Sequence, residues 1–174
     1  MAGHGAVTLD ELDFALLTAM HHHPGAGALE LSRLVNVARA TVHSRLRRLE
    51  NAGVLAGYEP RIGLSAAGFG VQAFVTLEIV QGALDSVTSE LESIPGVLEA
   101  FATTGAGDVL CRIAAASHDG LQATLIALNK SGVVSRSTSV IALSEIISLR
   151  TLPLIATLNT EKASKAPAFR KGEP

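Results

Sequence analysis

The sequence predicts an α+β chain: an N-terminal winged helix-turn-helix domain followed by a C-terminal ferredoxin-like βαββαβ domain. Helical periodicity fills the first third of the 174 residues, and apolar strands alternate with helices in the rest. A helix-Gly-Val-strand unit also recurs thirty-six positions on, at Gly96-Val97 and again at Gly132-Val133. This length is enough for two small domains with real cores.

The composition narrows the class of protein. Hydrophobic residues make up 48% and charged residues 17%, which is typical of a globular chain. With 3% aromatics and no Trp, the chain lacks the rings on which single-stranded bases stack. The single cysteine, Cys111, excludes a disulfide within one chain, and its neighbours "VLCRIA" predict a small apolar residue in a buried strand. Without a signal peptide or an apolar run of about 18 residues, we expect a cytoplasmic protein with no membrane partner.

The first helix is predicted from "TLDELDFALLTAMHHHPG". Thr8 is the expected N-cap, and Glu11, three residues later, completes a capping-box pattern. Pro24 and Gly25 end the helix. Its apolar stripe consists of Leu9, Leu12, Ala15, Leu16 and Ala19.

Two more helices complete a helix-turn-helix pattern. "GALELSRLVN" predicts a short helix, and "ARATVHSRLRRLENAG" predicts a longer one closed by Gly53. In the longer helix Val42, Leu46 and Leu49 are spaced to face inward. "VLAGYEPRI" then predicts a small hairpin, the wing, and "GLSAAGFG" predicts a linker.

The remaining segments predict the βαββαβ order. Strands are expected at "VQAFVTLEIV", "VLEAFATTG", "VLCRIAAAS" and "VVSRSTSVIAL", and helices at "ALDSVTSELESIPG" and "LQATLIALNKSG". "SEIISLRTLPLI" would extend the sheet edge or reach a partner, and "NTEKASKAPAFRKGEP" reads as a disordered tail. The expected domains are therefore 1–61 (winged helix-turn-helix), 62–70 (linker), 71–158 (βαββαβ) and 159–174 (tail).

The charge distribution points to DNA. The formal net charge is −2, yet four arginines fall within the eleven residues 39–49, while residues 62–160 hold eight acids and four bases. Arg39, His43 and Arg47 share one face at four-residue spacing, whereas Arg45 and Arg48 would hold phosphate or pair with Glu50. The predicted DNA-binding residues are Arg39, Thr41, His43, Ser44, Arg45, Arg47 and Arg48.

The alternative for such a helix is a solvated face with salt bridges, and the flanking helix and wing favour DNA. Arg61, just after the wing, would contact the DNA backbone or serve solubility.

The order of the motifs resembles the Lrp/AsnC family of regulators. The resemblance rests on "TLDELDFALL", "VHSRLRRLENAGVLAGY", "IPGV", "TTGAGD" and "GVVSRSTSVIAL", and covers about residues 8–154. It implies a transcriptional regulator that binds double-stranded DNA through the winged helix. It also implies a C-terminal (RAM) domain that forms homodimers or octamers and binds an amino acid between subunits.

Two segments are the candidates for that effector site. The glycines of "TTGAGDV" allow close approach of the backbone, Asp108 would accept a bond from a ligand ammonium group, and strand hydroxyls would reach its carboxylate. The predicted effector-binding residues are Thr104, Gly105, Gly107, Asp108, Ser137, Thr138 and Ser139. A tight turn with locally bonded hydroxyls is the alternative.

The chain departs from the family pattern at three places. Ala38 stands where a small polar N-cap is usual, which costs roughly 1 kcal/mol and one phosphate contact. Gly107 stands where the loop commonly has an aromatic residue before Asp108, and this bears on the identity of the effector. The segment "HHHPGAGA" is longer than the usual helix end.

Metal binding and catalysis have little support in the sequence. His21, His22 and His23, even with His4 and His118, lack the spacing of a zinc motif and predict an exposed helix end. No nucleophile elbow, phosphate-binding loop or clear carboxylate pair is present, so we expect no enzyme, no catalytic residue and no cofactor beyond the amino acid effector. Two alternatives stay open: a metabolite-binding oligomer with weak or lost DNA binding, and a metal-responsive regulator that uses the histidines.

Overall fold

The computed structural model describes residues 7–165, which divide into two compact units. The helical unit comprises the chain up to Glu59 together with the chain from Ser148 onward, and the sheet unit comprises Pro60–Ile147. The helices of the helical unit are α1 (Glu11–His22), α2 (Ala28–Leu34), α3 (Arg39–Asn51) and α6 (Leu152–Lys165). In the described part of the chain, no helix is long and apolar enough to cross a membrane.

The helix-turn-helix core is aliphatic, as its spacing predicts. Leu16 of α1, Leu31 of α2 and Val42 of α3 are buried together, with Leu46 beside them. The turn between α2 and α3 passes through Asn36 at φ 53°, a left-handed conformation that Asn tolerates better than most residues. These contacts fix α3 against the other two helices and leave its opposite face to solvent.

The N-terminus of α1 lies two residues later than predicted. Asp10, rather than Thr8, is the N-cap, and its carboxylate accepts from the Asp13 N–H at 2.9 Å. Asp13 completes the capping box, since its carboxylate accepts from the Asp10 N–H at 2.9 Å. The predicted roles of Thr8 and Glu11 as cap and box partner are therefore wrong, because Asp10 and Asp13 offer the same spacing with two carboxylates.

The predicted wing hairpin is not formed, and residues 54–62 contain no strand. A hairpin of two short strands is marginal by itself, and Pro60 has no N–H to give to a ladder. The segment is instead tied back to α3, because the Tyr58 hydroxyl donates to Glu50 Oε1 at 2.6 Å.

The sheet unit has the predicted βαββαβ order. Its elements are β1 (Val71–Ile79), α4 (Leu84–Glu92), β2 (Val97–Ala102), β3 (Val109–Ala115), α5 (His118–Lys130) and β4 (Val134–Ala142). The strands form one antiparallel sheet in the order β2-β3-β1-β4. This is the ferredoxin-like arrangement that the repeated strand-helix-strand pattern predicts.

The two faces of the sheet differ. Alternate residues of β1 and β3, among them Val75 and Cys111, are buried with Leu128 of α5 in one aliphatic core. Burial raises the pKa of the Cys111 thiol to about 11, consistent with the predicted apolar role. The other face, which we call the open face, carries the half-exposed rings Phe74 and Phe101.

The C-terminal part differs from expectation. β4 ends at Ala142, and residues 143–151 do not extend the sheet. α6 follows and lies against α1, so it belongs to the helical unit and not to the predicted sheet domain 71–158. It continues to Lys165 through the start of the predicted disordered tail, and residues 166–174 lie outside the described part.

Candidate DNA-contacting surface and ligand loop

The outward side of α3 forms a shallow groove, which we call the α3 groove. Ser44, Arg47 and Asn51 follow one another at helical spacing along it, and all three are exposed. Its full lining is Ala40, His43, Ser44, Arg47, Arg48, Asn51 and Ala52. The structure thus brings together four of the predicted DNA-binding residues on one surface.

Two further predicted residues lie off this groove. Arg39 is exposed at the start of α3, and Thr41 is half-buried on the flank. Ala38 is the N-cap residue, with extended φ −61° and ψ 144°, and no side chain caps the helix, as the sequence predicts. Arg61 is exposed in the irregular segment that follows.

Pairing with Glu50, one of the two roles predicted for Arg45 and Arg48, does not occur. Arg45 Nη1 forms ion pairs with Asp10 Oδ2 and, at 3.2 Å, with Asp13 Oδ1, and Arg48 Nη2 pairs with Asp13 Oδ2. Glu50 instead accepts the hydrogen bond from Tyr58. The partners of both arginines lie 32 to 35 positions earlier in the chain, at the start of α1. Residue spacing within α3 therefore does not predict them.

Asp10 and Asp13, which we call the acidic pair, are strongly held. The side chain of Asp13 is fully buried, at 0% exposure, while that of Asp10 is 48% exposed. Desolvation disfavours the charge on Asp10, but the hydrogen bonds from the Asp13 N–H and from Arg45 outweigh it and lower its pKa to about 2. The same hydrogen bond from Arg45 to Asp10 raises the pKa of the Arg45 guanidinium.

Sequence reasoning missed three residues of the groove: Ala40, Asn51 and Ala52. Asn51 had a usable signal, because it stands seven positions after Ser44 on the same helical face. No local pattern in the sequence indicates the contact of the acidic pair with α3, because the partners are at least thirty-two positions apart.

In the sheet unit, the segment between β2 and β3 is a closed turn, which we call the ligand loop after the role predicted for it. Thr103 N–H donates to the Asp108 carbonyl, and Thr103 Oγ1 donates to the Gly107 carbonyl, both at 2.9 Å. Gly105 has φ 122°, a conformation that favours glycine, and Thr104 is exposed beside it.

Gly107 lies tightly against β1. A Cβ atom at this position would come within 2.2 Å of Thr76 Cγ2 and 3.2 Å of the Leu77 carbonyl oxygen. A side chain at this position would require Thr76 to move and would press on the Leu77 carbonyl, which is consistent with the missing aromatic residue. Thr76, which sequence reasoning did not select, is the strand residue that meets the loop.

Asp108 is anchored to the same strand. Its Oδ2 accepts from the Ile79 N–H at 2.8 Å, and its own N–H donates to the Leu77 carbonyl at 2.9 Å. The residue is exposed, so a ligand ammonium group can approach the carboxylate from solvent.

The three hydroxyl residues of β4 do not share one face. Thr138 lies opposite Thr76, whereas Ser137 and Ser139 lie opposite the buried Leu77 and Val75. Since directly opposed residues share a face, Thr138 is on the open face with Thr76, and the two serines are on the helix-covered side. Of the three, only Thr138 thus lies on the same face as Thr76, the strand residue that borders the loop.

The histidines form no metal centre in the described residues. The rings of His21 and His22 meet edge to face, with centroids 5.3 Å apart, at the exposed end of α1. No group of three metal-ligating side chains occurs within 7–165, and His4 lies outside that range.

A helix-turn-helix unit with a basic groove, joined to a ferredoxin-like sheet with a ligand loop, defines a class: DNA-binding regulators with a ligand-binding domain. Sequence comparison agrees, since a winged helix-turn-helix DNA-binding model matches residues 9–56 and the Lrp/AsnC ligand binding domain matches residues 72–152.

Proteins with similar sequences or structures are also transcriptional regulators. The regulatory protein AsnC of Escherichia coli is 30% identical over 120 residues, which cover 68% of this chain and 78% of AsnC. The transcriptional regulator FL11 of Pyrococcus horikoshii is 30% identical over 107 residues, covering 62% and 71% of the two chains. A Neisseria meningitidis transcriptional regulator, solved with L-Met, superposes with a TM-score of 0.78 at 26% identity over 86% of this chain and 99% of that one.

The chain belongs to the Lrp/AsnC family. It is a transcriptional regulator with a DNA-binding helix-turn-helix domain and an Lrp/AsnC ligand-binding domain, and its relatives are regulators rather than enzymes.

Proposed function

We propose that this regulator reads a duplex operator in the cytoplasm through the α3 groove, and that an amino acid bound at the ligand loop changes its DNA affinity or its assembly. The observation that carries the proposal is the position of Arg47. It is exposed between Ser44 and Asn51 on the outward side of α3, and it has no ion-pair partner among residues 7–165.

The chemistry of the groove fits base edges in the major groove. An arginine bonds guanine bidentately, an asparagine bonds adenine, and an alanine methyl packs on the methyl group of thymine. Arg47, Asn51 and Ala40 supply these three groups on one helical face. Ser44 adds a hydroxyl that serves a base or a phosphate.

An amino acid is the proposed effector for two reasons. The Neisseria relative was solved as a complex with L-Met. In this chain, the exposed carboxylate of Asp108 provides an acceptor for an ammonium group. Thr76, which borders Gly107, and Thr138, opposite Thr76 on the open face, carry hydroxyls that could serve a carboxylate.

Assembly through the sheet is part of the proposal. The open face presents Phe74, Phe101 and Val140 at 44%, 55% and 65% exposure, more apolar surface than an isolated sheet favours. We propose that homodimers, or octamers built from them, cover this face, and that each dimer presents two α3 helices to two half-sites.

The test of the DNA role is fluorescence anisotropy on a duplex from upstream of the protein's own gene, at two salt concentrations. Arg47→Ala should weaken binding by roughly 5- to 150-fold, the value of one bidentate base contact of about 1–3 kcal/mol. Arg150→Ala is the matched control, because Arg150 is exposed in the irregular segment before α6 and lies off the α3 groove.

Equal loss in both variants, or no binding by folded protein at low salt, would overturn the DNA role. The second outcome would favour a metabolite-binding oligomer with lost DNA binding, for which the uncapped N-terminus at Ala38 is the supporting observation.

A further inference from the structure

Four charged side chains join the start of α1 to the flank of α3. Asp10 pairs with Arg45, and the fully buried Asp13 pairs with both Arg45 and Arg48. The capping box holds the two carboxylates in place, since each accepts the backbone N–H of the other residue. This arrangement neutralises half of the four arginines on α3.

DNA phosphates that contact Arg45 or Arg48 would have to share these guanidinium groups with the acidic pair. A guanidinium engaged by carboxylates gains less from a phosphate, because a phosphate contact must replace bonds that already exist. Arg45 is engaged by both carboxylates and only 30% exposed. Arg48 uses Nη2 for Asp13, yet its side chain is 41% exposed and lines the α3 groove.

The arginines of α3 therefore fall into two kinds. Arg39 and Arg47 are exposed without an ion pair in the described part of the chain, while Arg45 and Arg48 are held by α1. Arginine side chains without an ion-pair partner on a DNA-facing helix bind the phosphates of DNA of any base sequence and release its counterions. Fewer free cations leave a larger share of the affinity to base contacts.

We propose that Asp10 and Asp13 are positioning residues that set the sequence specificity of α3. They withhold Arg45 from the DNA backbone and fix Arg48 at the edge of the α3 groove, which limits sequence-independent binding. This inference rests on the proposed role of α3 as the DNA-contacting helix.

Asp10→Asn is the decisive variant. Asparagine is as good an N-cap as aspartate, so the helix start is kept while the negative charge of Asp10 is lost and only Asp13 still pairs with Arg45. On a duplex of unrelated sequence, binding should tighten by about three- to tenfold at low salt. The slope of log K against log salt should steepen by up to about 0.9, the value of one full phosphate contact, because Asp13 still holds part of the Arg45 guanidinium. Affinity for the operator should rise less, so the specificity ratio should fall.

Two control variants separate the positioning of Arg45 by Asp10 from the general effect of removing a negative charge. Glu11→Gln removes an exposed charge from the same helical turn, and its salt slope should match the wild-type slope. In the double variant Asp10→Asn/Arg45→Gln the slope should return to the wild-type value, because the released cation is gone. A merely structural role of Asp10 would lower affinity for both duplexes and leave the slope unchanged, with a lower melting temperature.

The two possible failures are distinguishable. If Arg47→Ala weakens operator binding while Asp10→Asn leaves the non-specific slope unchanged, the positioning role is overturned and the DNA role stands. If Arg47→Ala has no effect, the DNA role of the α3 groove fails, and the positioning role fails with it.

Discussion

At the scale of single residues, the start of α1 and the charge on α3 both depend on which carboxylates cap the helix and pair with the arginines. The sequence predicts a capping box at the start of α1, and the structure has one, but at Asp10 and Asp13. The three-residue spacing predicts a capping box, but it fits Thr8 with Glu11 as well as Asp10 with Asp13 and does not decide between them. The pairing of Arg45 with Asp10 and Asp13 depends on how α1 and α3 pack together, and a short stretch of sequence does not reveal that packing.

The lowered pKa of Asp10, caused by its hydrogen bonds from the Asp13 N–H and from Arg45, predicts a defined pH dependence. Its folded pKa of about 2 lies below the ordinary value of 3.8, so its contribution to stability is complete above pH 3.8 and is lost as pH falls towards 2. We expect the difference in unfolding free energy between wild type and Asp10→Asn to be constant near neutrality and to shrink between pH 4 and pH 2. Urea unfolding at several pH values measures it, and a difference that grows on acidification would contradict this account.

At the scale of elements, the helices and strands that the sequence predicts correctly have a periodic apolar pattern and pack against several other elements. β1 alternates buried and half-exposed residues and pairs on both sides with β3 and β4, so pattern and packing agree. The predicted wing had two short apolar runs and no third strand, and it did not form. α6 was missed because its sequence lacks a clear stripe, and its contact with α1 depends on the return of the chain to the helical unit.

The ligand loop gives a prediction at this scale. Gly107→Ala should lower the melting temperature, because its Cβ would come within 2.2 Å of Thr76 Cγ2. Thr76→Ser removes that methyl group, so the double variant Gly107→Ala/Thr76→Ser should regain part of the loss. Thermal denaturation followed by circular dichroism measures both, and strictly additive losses would show that the close contact with Thr76 is not the cause.

At the scale of the whole molecule, the open face of the sheet predicts self-association. Phe74→Asp places a charge amid exposed apolar side chains and should shift the protein towards monomer in light scattering coupled to size exclusion. Phe69→Asp is the matched control, since Phe69 has similar exposure, 46% against 44%, but precedes the sheet. A monomeric wild type, or equal effects of both changes, would exclude the open face as the interface.

We propose that a ligand bound at the loop of the sheet unit controls DNA binding by α3. Coupling between two sites is reciprocal and arises only from unequal affinity for two arrangements of the protein. Asp108→Asn tests it well, because an amide oxygen still accepts from the Ile79 N–H while the negative charge for an ammonium group is removed. Asp119→Asn, on the exposed first turn of α5, removes the same charge elsewhere.

The most direct measurement is operator affinity by anisotropy with and without each of the common amino acids. We expect at least one amino acid to shift the affinity of wild type and Asp119→Asn by about 5- to 150-fold, the usual range of coupling, and to leave Asp108→Asn unshifted. If no amino acid changes the affinity of wild type, or if Asp108→Asn responds as wild type does, the account of the ligand loop is contradicted.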